Sequence, residues 1–293
     1  MTKIAILGAS GLIGHKLTQV LSDRFDTVVP VLHGSAGRFA EFGLFQDNAI
    51  ENVDVADFDA TVAVLNEIGP DVVLNCAGIT KRRPEVNDPV LAITVNSLFP
   101  HRLAHWCKAN DARMIHFSTD CVFDGAEGDY TESSVTTARD AYGQTKALGE
   151  TRYDHCLTIR SSFIGQELAV HSELLDWFLA QRGQHLKGFT HALYTGVSTP
   201  VMACVVGDII ANYPDVSGLY QLSVPEPISK YDLLCLARDA FDLEVEITPD
   251  DAFEIKPTLN GTALRSVLNL TLPTWPEMMA ELAAGAAFYP KLS

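Results

Sequence analysis

The sequence predicts an α/β fold in which a doubly wound parallel sheet is followed by a smaller C-terminal lobe. Short apolar segments alternate with amphipathic stretches of helical length through the first half of the chain. A glycine-rich turn separates the first apolar segment from the first amphipathic stretch. From about residue 166 this alternation fades, and Gly, Pro and Thr separate shorter elements. We therefore predict a first unit, residues 1–165, and a C-terminal lobe, residues 166–293, some segments of which can return to the first unit.

Buried strands are predicted wherever the first unit has a short run rich in Val, Ile and Leu. In a parallel sheet with helices on both faces, both sides of each strand are buried, so the whole strand is apolar. These runs are residues 3–7, 27–32, 71–76, 113–118 and 156–160. A further strand region is expected to end at Asp54–Val55, so Asn75 would close the fourth strand and Ser118 the fifth.

Helices are predicted between the strands, where apolar residues recur at helical spacing. They cover residues 12–21, 58–68, 90–110 and 141–153. In the C-terminal lobe, shorter elements of unspecified type are expected at residues 174–181, 231–241 and 276–284. Asp88–Pro89 has the form of an N-cap followed by a first-turn proline, and Pro100 is expected to interrupt the third helix. Because no flexible linker separates the two units, they should pack directly around a cleft.

The composition is that of a folded, acidic protein. Hydrophobic residues make up 47% of the 293 residues and charged residues 20%, which excludes a disordered chain. The formal net charge of -16 repels a phosphate backbone or an anionic membrane surface. No apolar run approaches the ~20 residues of a membrane span. We therefore expect neither a nucleic-acid-binding protein nor a membrane protein.

The cysteines and histidines indicate a reducing compartment and no metal. The six cysteines are scattered singly without a C-x-x-C pair, and the nine histidines show no ligand spacing. Neither a disulfide framework nor a metal site is therefore predicted. The apolar stretch at the N-terminus is too short for a signal peptide. A cytoplasmic location follows as the expectation.

A G-x-x-G-x-x-G turn at residues 8–14 follows the first strand and opens the first helix. Glycines there permit a tight turn and let a pyrophosphate approach the amide groups of the helix N-terminus, as in the dinucleotide-binding Rossmann fold. A turn without a ligand is the alternative, but the position between strand and helix favours a cofactor site. The residues expected to contact the cofactor here are Gly8, Ser10, Gly11, Leu12, Ile13 and Gly14.

The loop after the second strand favours NADPH over NADH. NAD-specific folds carry an acidic residue there for the ribose hydroxyls, and none occurs between Asp26 and Glu41. Ser35 and Arg38 can instead bind a 2′-phosphate, although an arginine that merely faces solvent is the alternative. We expect NADPH as the cofactor, with NADH as the second choice.

Two further strand ends are assigned to the cofactor. Asp54 and Val55 can hold an adenine through a carboxylate and a backbone amide. Cys76, Ala77 and Gly78 offer small residues where the backbone must pass beneath the cofactor. Local turn chemistry explains either group as well, and the order of these residues along the sheet is what favours a cofactor role.

Tyr142 and Lys146 lie four residues apart on one face of a predicted helix. A phenol, with a pKa near ~10, needs help to exchange a proton at neutral pH, and a cationic neighbour can lower that pKa by favouring the phenolate. Thr119 can hydrogen-bond the same substrate oxygen. An isolated Y-x-x-x-K pair is usually only a surface pair. The glycine turn and the strand end at Ser118, Thr119 and Asp120 favour catalysis instead.

Four segments, GASGLIG, STDCVFDG, YGQTKALGE and RSSFIG, resemble the extended short-chain dehydrogenase/reductases, most closely the dTDP-4-dehydrorhamnose reductase group. The resemblance runs over essentially the whole chain. It implies a catalytic set of Tyr142, Lys146 and Thr119, a nicotinamide dinucleotide on the first unit and a nucleotide sugar on the C-terminal lobe. The chain departs from the group at Phe163, where tryptophan is usual, and at Cys121, where tyrosine is usual. Both positions fall at the presumed sugar pocket, so Phe163 is expected to contact the substrate.

A nucleotide sugar carries an anionic diphosphate, for which this acidic chain offers few bases. Lys81, Arg82 and Arg83 gather three of only 21 basic residues into one loop on the ligand face of the sheet. Lys187 and Arg265 in the C-terminal lobe are further candidates for substrate binding. Exposed bases that bind nothing are the alternative for each of these residues taken alone.

The sequence thus predicts an NADP-dependent reductase of a nucleotide-linked 4-keto-6-deoxysugar. Tyr142 would protonate the nascent oxyanion, Lys146 would tune Tyr142 and bind the cofactor ribose, and Thr119 would position the oxygen. Two alternatives stay open, a nucleotide-sugar epimerase that retains NAD and a non-catalytic regulatory subunit that binds a dinucleotide. A dehydratase is disfavoured, because Cys121 follows Asp120 where such enzymes carry Glu. Family analogy predicts that a homodimer, if one forms, uses helices of the first unit.

Overall fold

The computed structural model describes residues 1–45 and 48–289. Its strands are β1 (Lys3–Leu7), β2 (Thr27–Val31), β3 (Val72–Asn75), β4 (Arg113–Thr119), β5 (Cys156–Ser161), β6 (Phe163–Ile164), β7 (His185–Tyr194), β8 (Val197–Ser198), β9 (Gly218–Gln221), β10 (Ile228–Ser229) and β11 (Glu246–Ile255). Its α-helices are α1 (Leu12–Ser22), α2 (Phe58–Ile68), α3 (Pro89–Ala92), α4 (Phe99–Ala109), α5 (Ala141–Leu148), α6 (Leu174–Leu179), α7 (Thr199–Asn212), α8 (Lys230–Ala240), α9 (Thr262–Leu268) and α10 (Trp275–Ala284). Short 3₁₀ helices cover Ala36–Phe42, Pro84–Asn87, Asp120–Val122 and Gly285–Phe288.

Six strands form one parallel sheet in the order β2-β1-β3-β4-β5-β9. The chain moves outward from β1 to β2 on one side and from β3 onward on the other, so the strand order reverses between β1 and β3. Ligands of doubly wound sheets bind outside the carboxyl ends of the strands at such a reversal. The α/β fold with a parallel Rossmann-like sheet, predicted from the sequence, is confirmed.

The strand region expected to end at Asp54–Val55 is wrong. Ile50 forms one isolated bridge with Val31, and Asn52 adopts a left-handed backbone with a φ of 59°. Three backbone hydrogen bonds still join this segment to Pro30 and Leu32, but the left-handed residue interrupts the extended backbone that a strand requires. β3 and β4 are therefore the third and fourth strands along the chain, each one place earlier than the sequence predicted.

The third predicted helix is not broken at Pro100, contrary to expectation. It runs without a gap from α3 through the π-helical residues Ile93–Leu98 into α4. In a π turn each N–H bonds the carbonyl five residues earlier instead of four. Such a turn just before Pro100 lets the helix continue although proline has no N–H to donate. The side-chain amide of Asn96, within this turn, bonds the backbone N–H and carbonyl of Ile79 at 2.9 and 3.0 Å. The helix is thereby tied to the loop after β3.

Helix α5 ends at Leu148, earlier than the predicted end at residue 153. Gly149 follows and packs directly on the backbone carbonyl of Asn96, in a space with no room for a side chain. Ser97 Oγ also donates to the carbonyl of Thr145 at 2.8 Å. These contacts fix α5 against the helix that follows β3. Glu150, directly after Gly149, lies outside α5 and forms a buried ion pair.

The C-terminal lobe carries a three-stranded sheet in the order β10-β7-β11, with α8 packed on β7. Two segments beyond residue 165 return to the first unit: α7 packs against α1, and β9 extends the large sheet beside β5. One apolar core, which includes Leu17, Met202, Leu234 and Met278, continues through both units. Direct packing of this kind leaves a cleft at the carboxyl edge of the large sheet, while residue 165 as a domain boundary stays a prediction.

No helix within residues 1–45 and 48–289 is long and apolar enough to cross a membrane. The same ranges contain no group of three or more His, Cys, Asp or Glu side chains placed to hold a metal ion. The six cysteines are all free.

Candidate active site

A cavity of about 420 Å³ opens at the carboxyl edge of the large sheet, between the two units. Its volume lies within the range of small-molecule sites, roughly 300–1,000 Å³. We call it the central cavity. It brings together thirteen of the residues assigned to chemistry from the sequence: Gly11, Leu12, Ile13, Cys76, Ala77, Gly78, Lys81, Arg82, Arg83, Thr119, Tyr142, Lys146 and Phe163.

The glycine turn lies against the backbone after β3 and shapes one wall of the central cavity. Gly8 has a φ of 75°, and a Cβ there would stand 2.9 Å from the backbone nitrogen of Ala77. Gly14 packs on the Gly8 carbonyl without room for a side chain. Gly11 differs, because the atom nearest to a Cβ there is the Gly8 carbonyl oxygen at 3.4 Å. The fold therefore requires Gly8 and Gly14, whereas Gly11 keeps open space in the cavity. Ser10 belongs to the turn but does not line the cavity.

Tyr142, Lys146 and Thr119 meet in the cavity because α5 docks on the turn that follows β4. Gly143, next to Tyr142, packs directly on the carbonyl of Cys121, where a side chain would not fit. Thr119 Oγ1 accepts the backbone N–H of Cys121 at 3.1 Å. The same short turn therefore positions both the threonine hydroxyl and the helix that carries the tyrosine.

Lys146 is buried, and its Nζ donates to the carbonyl of Phe117 at 2.6 Å. Burial lowers the pKa of Lys146 to about 8, while the nearby carboxylate of Glu150 acts in the opposite direction. The ammonium is thus held at the end of β4, one turn of helix away from Tyr142.

The pKa of Tyr142 is raised, not lowered as the sequence predicted. Burial is the main cause and the acidic groups Cys121 and Asp120 add to it, whereas hydrogen bonding with the Thr119 side chain opposes it. Burial disfavours the phenolate, and this effect outweighs the opposing charge of the nearby Lys146 ammonium. The raised pKa keeps Tyr142 as a phenol, which is the form that donates a proton.

A buried ion pair joins the chain just after α5 to β5, and its carboxylate also bonds β4. Arg160 Nε and Nη2 donate to the two carboxylate oxygens of Glu150 at 2.6 and 2.7 Å. The side chains are 1% and 5% exposed. Glu150 also accepts from Ser118 Oγ at 2.7 Å. Because Ser118 precedes Thr119 on β4 and Glu150 follows α5, the pair fixes the distance between Thr119 and Lys146.

The residues predicted for the cofactor 2′-phosphate and adenine flank the end of β2, outside the lining of the central cavity. Arg38 is exposed on the 3₁₀ helix Ala36–Phe42, and the Ser35 hydroxyl caps that helix. The Asp54 carboxylate accepts a backbone N–H of its own turn at 2.9 Å, and Val55 follows it. Their roles toward a cofactor stay predictions.

The predicted basic patch is largely paired with acids. Lys81 Nζ lies 2.8 Å from a carboxylate oxygen of Asp140, the N-cap residue of α5. Arg82 Nε lies 3.4 Å from Glu173 Oε2, and Arg82 Nη1 donates to the carbonyl of Ser172 at 2.6 Å. Arg82 therefore links the loop after β3 to the C-terminal lobe beside the cavity.

The structure does not bring Lys187 and Arg265 to the central cavity. Lys187 is exposed on β7 and pairs with Asp250 at 3.3 Å. Arg265 donates to the carbonyl of Ser223 at 2.6 Å and thereby fastens α9 to the chain after β9. Phe163, in contrast, lines the cavity as predicted for a substrate contact.

Tyr194 and Lys230 are among the cavity residues of the C-terminal lobe that sequence reasoning missed. In the pairing of β10 with β7, Ile228 lies opposite Tyr194, and the Lys230 ammonium lies 4.1 Å from the centre of the Tyr194 ring. No local motif marks either residue, because a pairing between distant strands brings them together. The Glu150–Arg160 pair was also missed, although Glu150 stands within the YGQTKALGE segment.

The family described as the RmlD substrate binding domain matches residues 1–282 of the chain. A probable low-salt glycan biosynthesis reductase, Agl14, from Haloferax volcanii is 27% identical over 97% of this chain and 98% of the relative. A dTDP-4-dehydrorhamnose reductase from Streptomyces griseus is 34% identical, over 50% of this chain and 42% of the relative. Methionine adenosyltransferase 2 subunit beta from Xenopus tropicalis is 25% identical over 81% of this chain and 72% of the relative.

Solved structures share the architecture over nearly the full length. A dTDP-4-dehydrorhamnose reductase from Clostridium acetobutylicum superposes with a TM-score of 0.80 at 22% identity, over 98% of this chain and 100% of that chain. A dTDP-4-dehydrorhamnose reductase from Bacillus anthracis in complex with NADP gives a TM-score of 0.77 at 16% identity, over 97% and 99% of the two chains. At these identities the likeness shows the fold.

Proposed function

This chain belongs to the RmlD substrate binding domain family, and we propose that it is an NADP-dependent reductase of a nucleotide-linked 4-keto-6-deoxysugar. The observation that carries the proposal is the meeting of Tyr142, Lys146 and Thr119 in one cavity beside the glycine turn. A relative named for the reduction of a dTDP-linked ketosugar, and the NADP complex of a protein with the same fold, support it.

The residues of the central cavity are suited to protonate a substrate oxygen. When bound, NADPH supplies the hydride that reduces the keto carbon. Tyr142 donates its phenolic proton to the carbonyl oxygen as negative charge develops there, and its raised pKa retains that proton until then. Thr119 Oγ1 donates a second hydrogen bond to the same oxygen after turning from Asp120, its acceptor at 3.0 Å in the free protein. The keto group thereby becomes an alcohol.

Lys146 supplies positive charge to this step. With a pKa of about 8, its side chain is mostly protonated at neutral pH. Its ammonium, fixed by the Phe117 carbonyl, favours the phenolate that Tyr142 becomes after the transfer. It is also the group that would bind the cofactor ribose.

The first unit fits a dinucleotide at the glycine turn. Within the described residues no side chain caps α1, so its first N–H groups are available to phosphate oxygens. Gly11 keeps the approach to these groups open, and the small residues Cys76, Ala77 and Gly78 line the cavity at the neighbouring strand end. These residues would hold the pyrophosphate and the nicotinamide half of NADPH.

Gly11→Val should weaken NADPH binding at least about 100-fold, which corresponds to ~2.7 kcal/mol. The valine side chain would fill the space through which the pyrophosphate must approach the backbone. The fold should survive, since the nearest atom to a Cβ at Gly11 is 3.4 Å away. Titration calorimetry measures the affinity and thermal denaturation checks the fold. Gly14→Ala, where no space exists, should instead destabilise the protein. Unchanged NADPH affinity in a folded Gly11→Val variant would contradict this placement of the cofactor.

Arg38→Ala should weaken NADPH about 10- to 100-fold and leave NADH nearly unaffected, the range for a lost hydrogen bond to a charged group. Arg38 is exposed beside the end of β2, where a 2′-phosphate would lie if the cofactor follows the sheet edge. Parallel titrations with the two cofactors measure the difference. Equal losses for both, or no loss for either, would mean that Arg38 does not recognise the 2′-phosphate.

Turnover tests the function directly. The purified protein, supplied with NADPH and dTDP-4-dehydrorhamnose, should oxidise NADPH and form a dTDP-linked deoxyhexose. NAD released from the purified protein would favour an epimerase. Dinucleotide binding without turnover of any nucleotide ketosugar would favour a regulatory subunit, in line with the similarity to methionine adenosyltransferase 2 subunit beta.

We further propose a cytoplasmic protein that dimerises through helices of the first unit. Six free cysteines support a reducing compartment. Val90, Ile93 and Leu148 expose 73%, 48% and 66% of their surface on neighbouring helices of that unit, which supports a partner surface there. Sedimentation velocity of the purified protein tests the oligomeric state.

A further inference from the structure

Five basic side chains line the central cavity: Lys81, Arg82, Arg83, Lys146 and Lys230. Lys81 and Arg82 are paired with acids, and Lys146 donates to a strand carbonyl. Arg83 is exposed to solvent. Lys230 differs from the others, because it is half-buried and yet has no carboxylate within 4.0 Å among residues 1–45 and 48–289. It is a cation of the cavity that forms no ion pair within the described chain.

The Lys230 ammonium is held in place by an aromatic ring. Lys230 is the first residue of α8, and its Nζ lies 4.1 Å from the centre of the Tyr194 ring. That ring is buried and packs on Trp275 with 5.4 Å between ring centres. A ring face attracts the charge but supplies no lone pair for the three N–H groups of the ammonium. The hydrogen-bonding capacity of Lys230 thus stays open toward the cavity.

The charged groups around Lys230 place it on the substrate side of the cavity. Burial lowers the pKa of Lys230 to about 8. Asp120, Cys121 and Glu173 act against that effect, and Arg82 adds to it. Asp120 and Cys121 directly follow the catalytic threonine along the chain. Lys230 therefore lies in the cavity near the end of β4, where the reacting sugar is expected.

We propose that Lys230 binds the diphosphate of the nucleotide-sugar substrate from the C-terminal lobe, an inference that rests on the proposed function. A 4-keto-6-deoxysugar has no charge of its own, so the diphosphate attached to its ring is the anion that the substrate brings into the cavity. A partly desolvated ammonium without a counter-ion gains strongly from such a partner. Lys81 and Arg82 would first have to release their carboxylates, which makes them weaker anchors.

Calorimetric titration of the full-length protein with dTDP and with thymidine tests this assignment. Lys230→Met keeps the length and apolar stem of the side chain but removes its charge. It should weaken dTDP about 10- to 100-fold and leave thymidine and NADPH unchanged. Lys230→Arg keeps the charge and should retain most of the dTDP affinity. Lys256→Met is the matched control, since Lys256 is a lysine of the same lobe that pairs with Glu254 at the surface. It should bind dTDP as the wild type does.

Proton uptake gives a second readout that a merely structural lysine would not produce. Since Lys230 has a pKa of about 8 in the free protein, a bound diphosphate should raise it. Binding of dTDP near pH 8 should then take up about half a proton, seen as a dependence of the binding enthalpy on the ionisation enthalpy of the buffer. The uptake should vanish in Lys230→Met. Uptake that persists in this variant would assign the proton to another group.

Different experimental results would overturn the Lys230 site and the proposed function. Equal dTDP affinity in wild type and Lys230→Met, equal losses for dTDP and thymidine, or no dTDP binding by the wild type would each overturn the Lys230 site. Turnover of a nucleotide ketosugar can still be present in the first two cases. If instead dTDP binds in a Lys230-dependent manner but no nucleotide ketosugar is reduced, the proposed function fails while the anion site stands.

Discussion

Tyr142→Phe should lose at least about 100-fold in turnover of a nucleotide 4-keto-6-deoxysugar, within the ~10²–10⁴ that general acid catalysis contributes. The substitution removes the hydroxyl alone, so the half-buried ring keeps its packing in the cavity. NADPH affinity should match that of the wild type, because the lost interaction serves the transition state. Steady-state kinetics and a separate NADPH titration measure the two quantities. Since the pKa of Tyr142 is raised, turnover should not decline through loss of its proton at neutral or mildly alkaline pH.

Tyr153→Phe is the matched control for this substitution. The Tyr153 hydroxyl bonds His101 at 3.1 Å on the surface and does not line the cavity, so turnover should be unchanged. Wild-type turnover in Tyr142→Phe would remove the tyrosine from the mechanism. If, in addition, the wild type reduced no nucleotide ketosugar, the regulatory-subunit alternative would take its place.

The glycine turn and the Tyr142–Lys146 pair could be predicted from the sequence because local geometry determines both. Gly8 has a left-handed backbone and Gly14 packs closely on the Gly8 carbonyl, so both positions require glycine. The spacing of the glycines therefore indicates the turn directly. Two residues one helical turn apart share a face in any helix. Their meeting with Thr119 was predictable in outline, because carboxyl ends of parallel strands lie at one edge of the sheet.

The sequence did not reveal which basic residues are available to bind an anion. Lys187 and Arg265 were predicted to bind a diphosphate, but their charges are engaged by Asp250 and by the Ser223 carbonyl. Lys230 received no assignment, because it reaches the cavity only through the pairing of β10 with β7. Whether a base is paired or open depends on tertiary contacts between distant segments, and composition and spacing do not report these contacts.

Two local backbone conformations could not be predicted from the sequence either. The expected strand before Asp54 fails at Asn52, whose left-handed φ interrupts the extended backbone, although Val53 beyond it still donates to the Leu32 carbonyl. Pro100 is tolerated because a π turn precedes it. Neither feature changes the hydrophobic pattern, which is the main signal for strands and helices in a single sequence.

Arg160→Met should lower the free energy of unfolding by about 3–5 kcal/mol, because it leaves the Glu150 carboxylate buried without its guanidinium. The wild-type pair is 1% and 5% exposed, and Arg160 makes both of its short bonds to the same carboxylate. Folded proteins are stable by only ~5–15 kcal/mol, so the loss would be a large fraction of the total. Urea denaturation measures it. Turnover should fall as well, since Glu150 also holds Ser118, the neighbour of the proposed catalytic residue Thr119.

The burial of this ion pair, and not its short N···O distance, is the expected cause of the loss in stability. Arg24→Met distinguishes these two causes. Arg24 approaches Asp208 to 2.6 Å, the same distance as Arg160 Nε to Glu150, but the two side chains are 32% and 50% exposed. Its removal should cost about 1 kcal/mol or less. Replacing both Arg160 and Glu150 by apolar residues should recover most of the stability, because no unpaired charge then remains buried. If Arg160→Met costs no more than Arg24→Met, the ion pair does not hold α5 to the sheet, and the packing of Gly143 and Gly149 must carry that role.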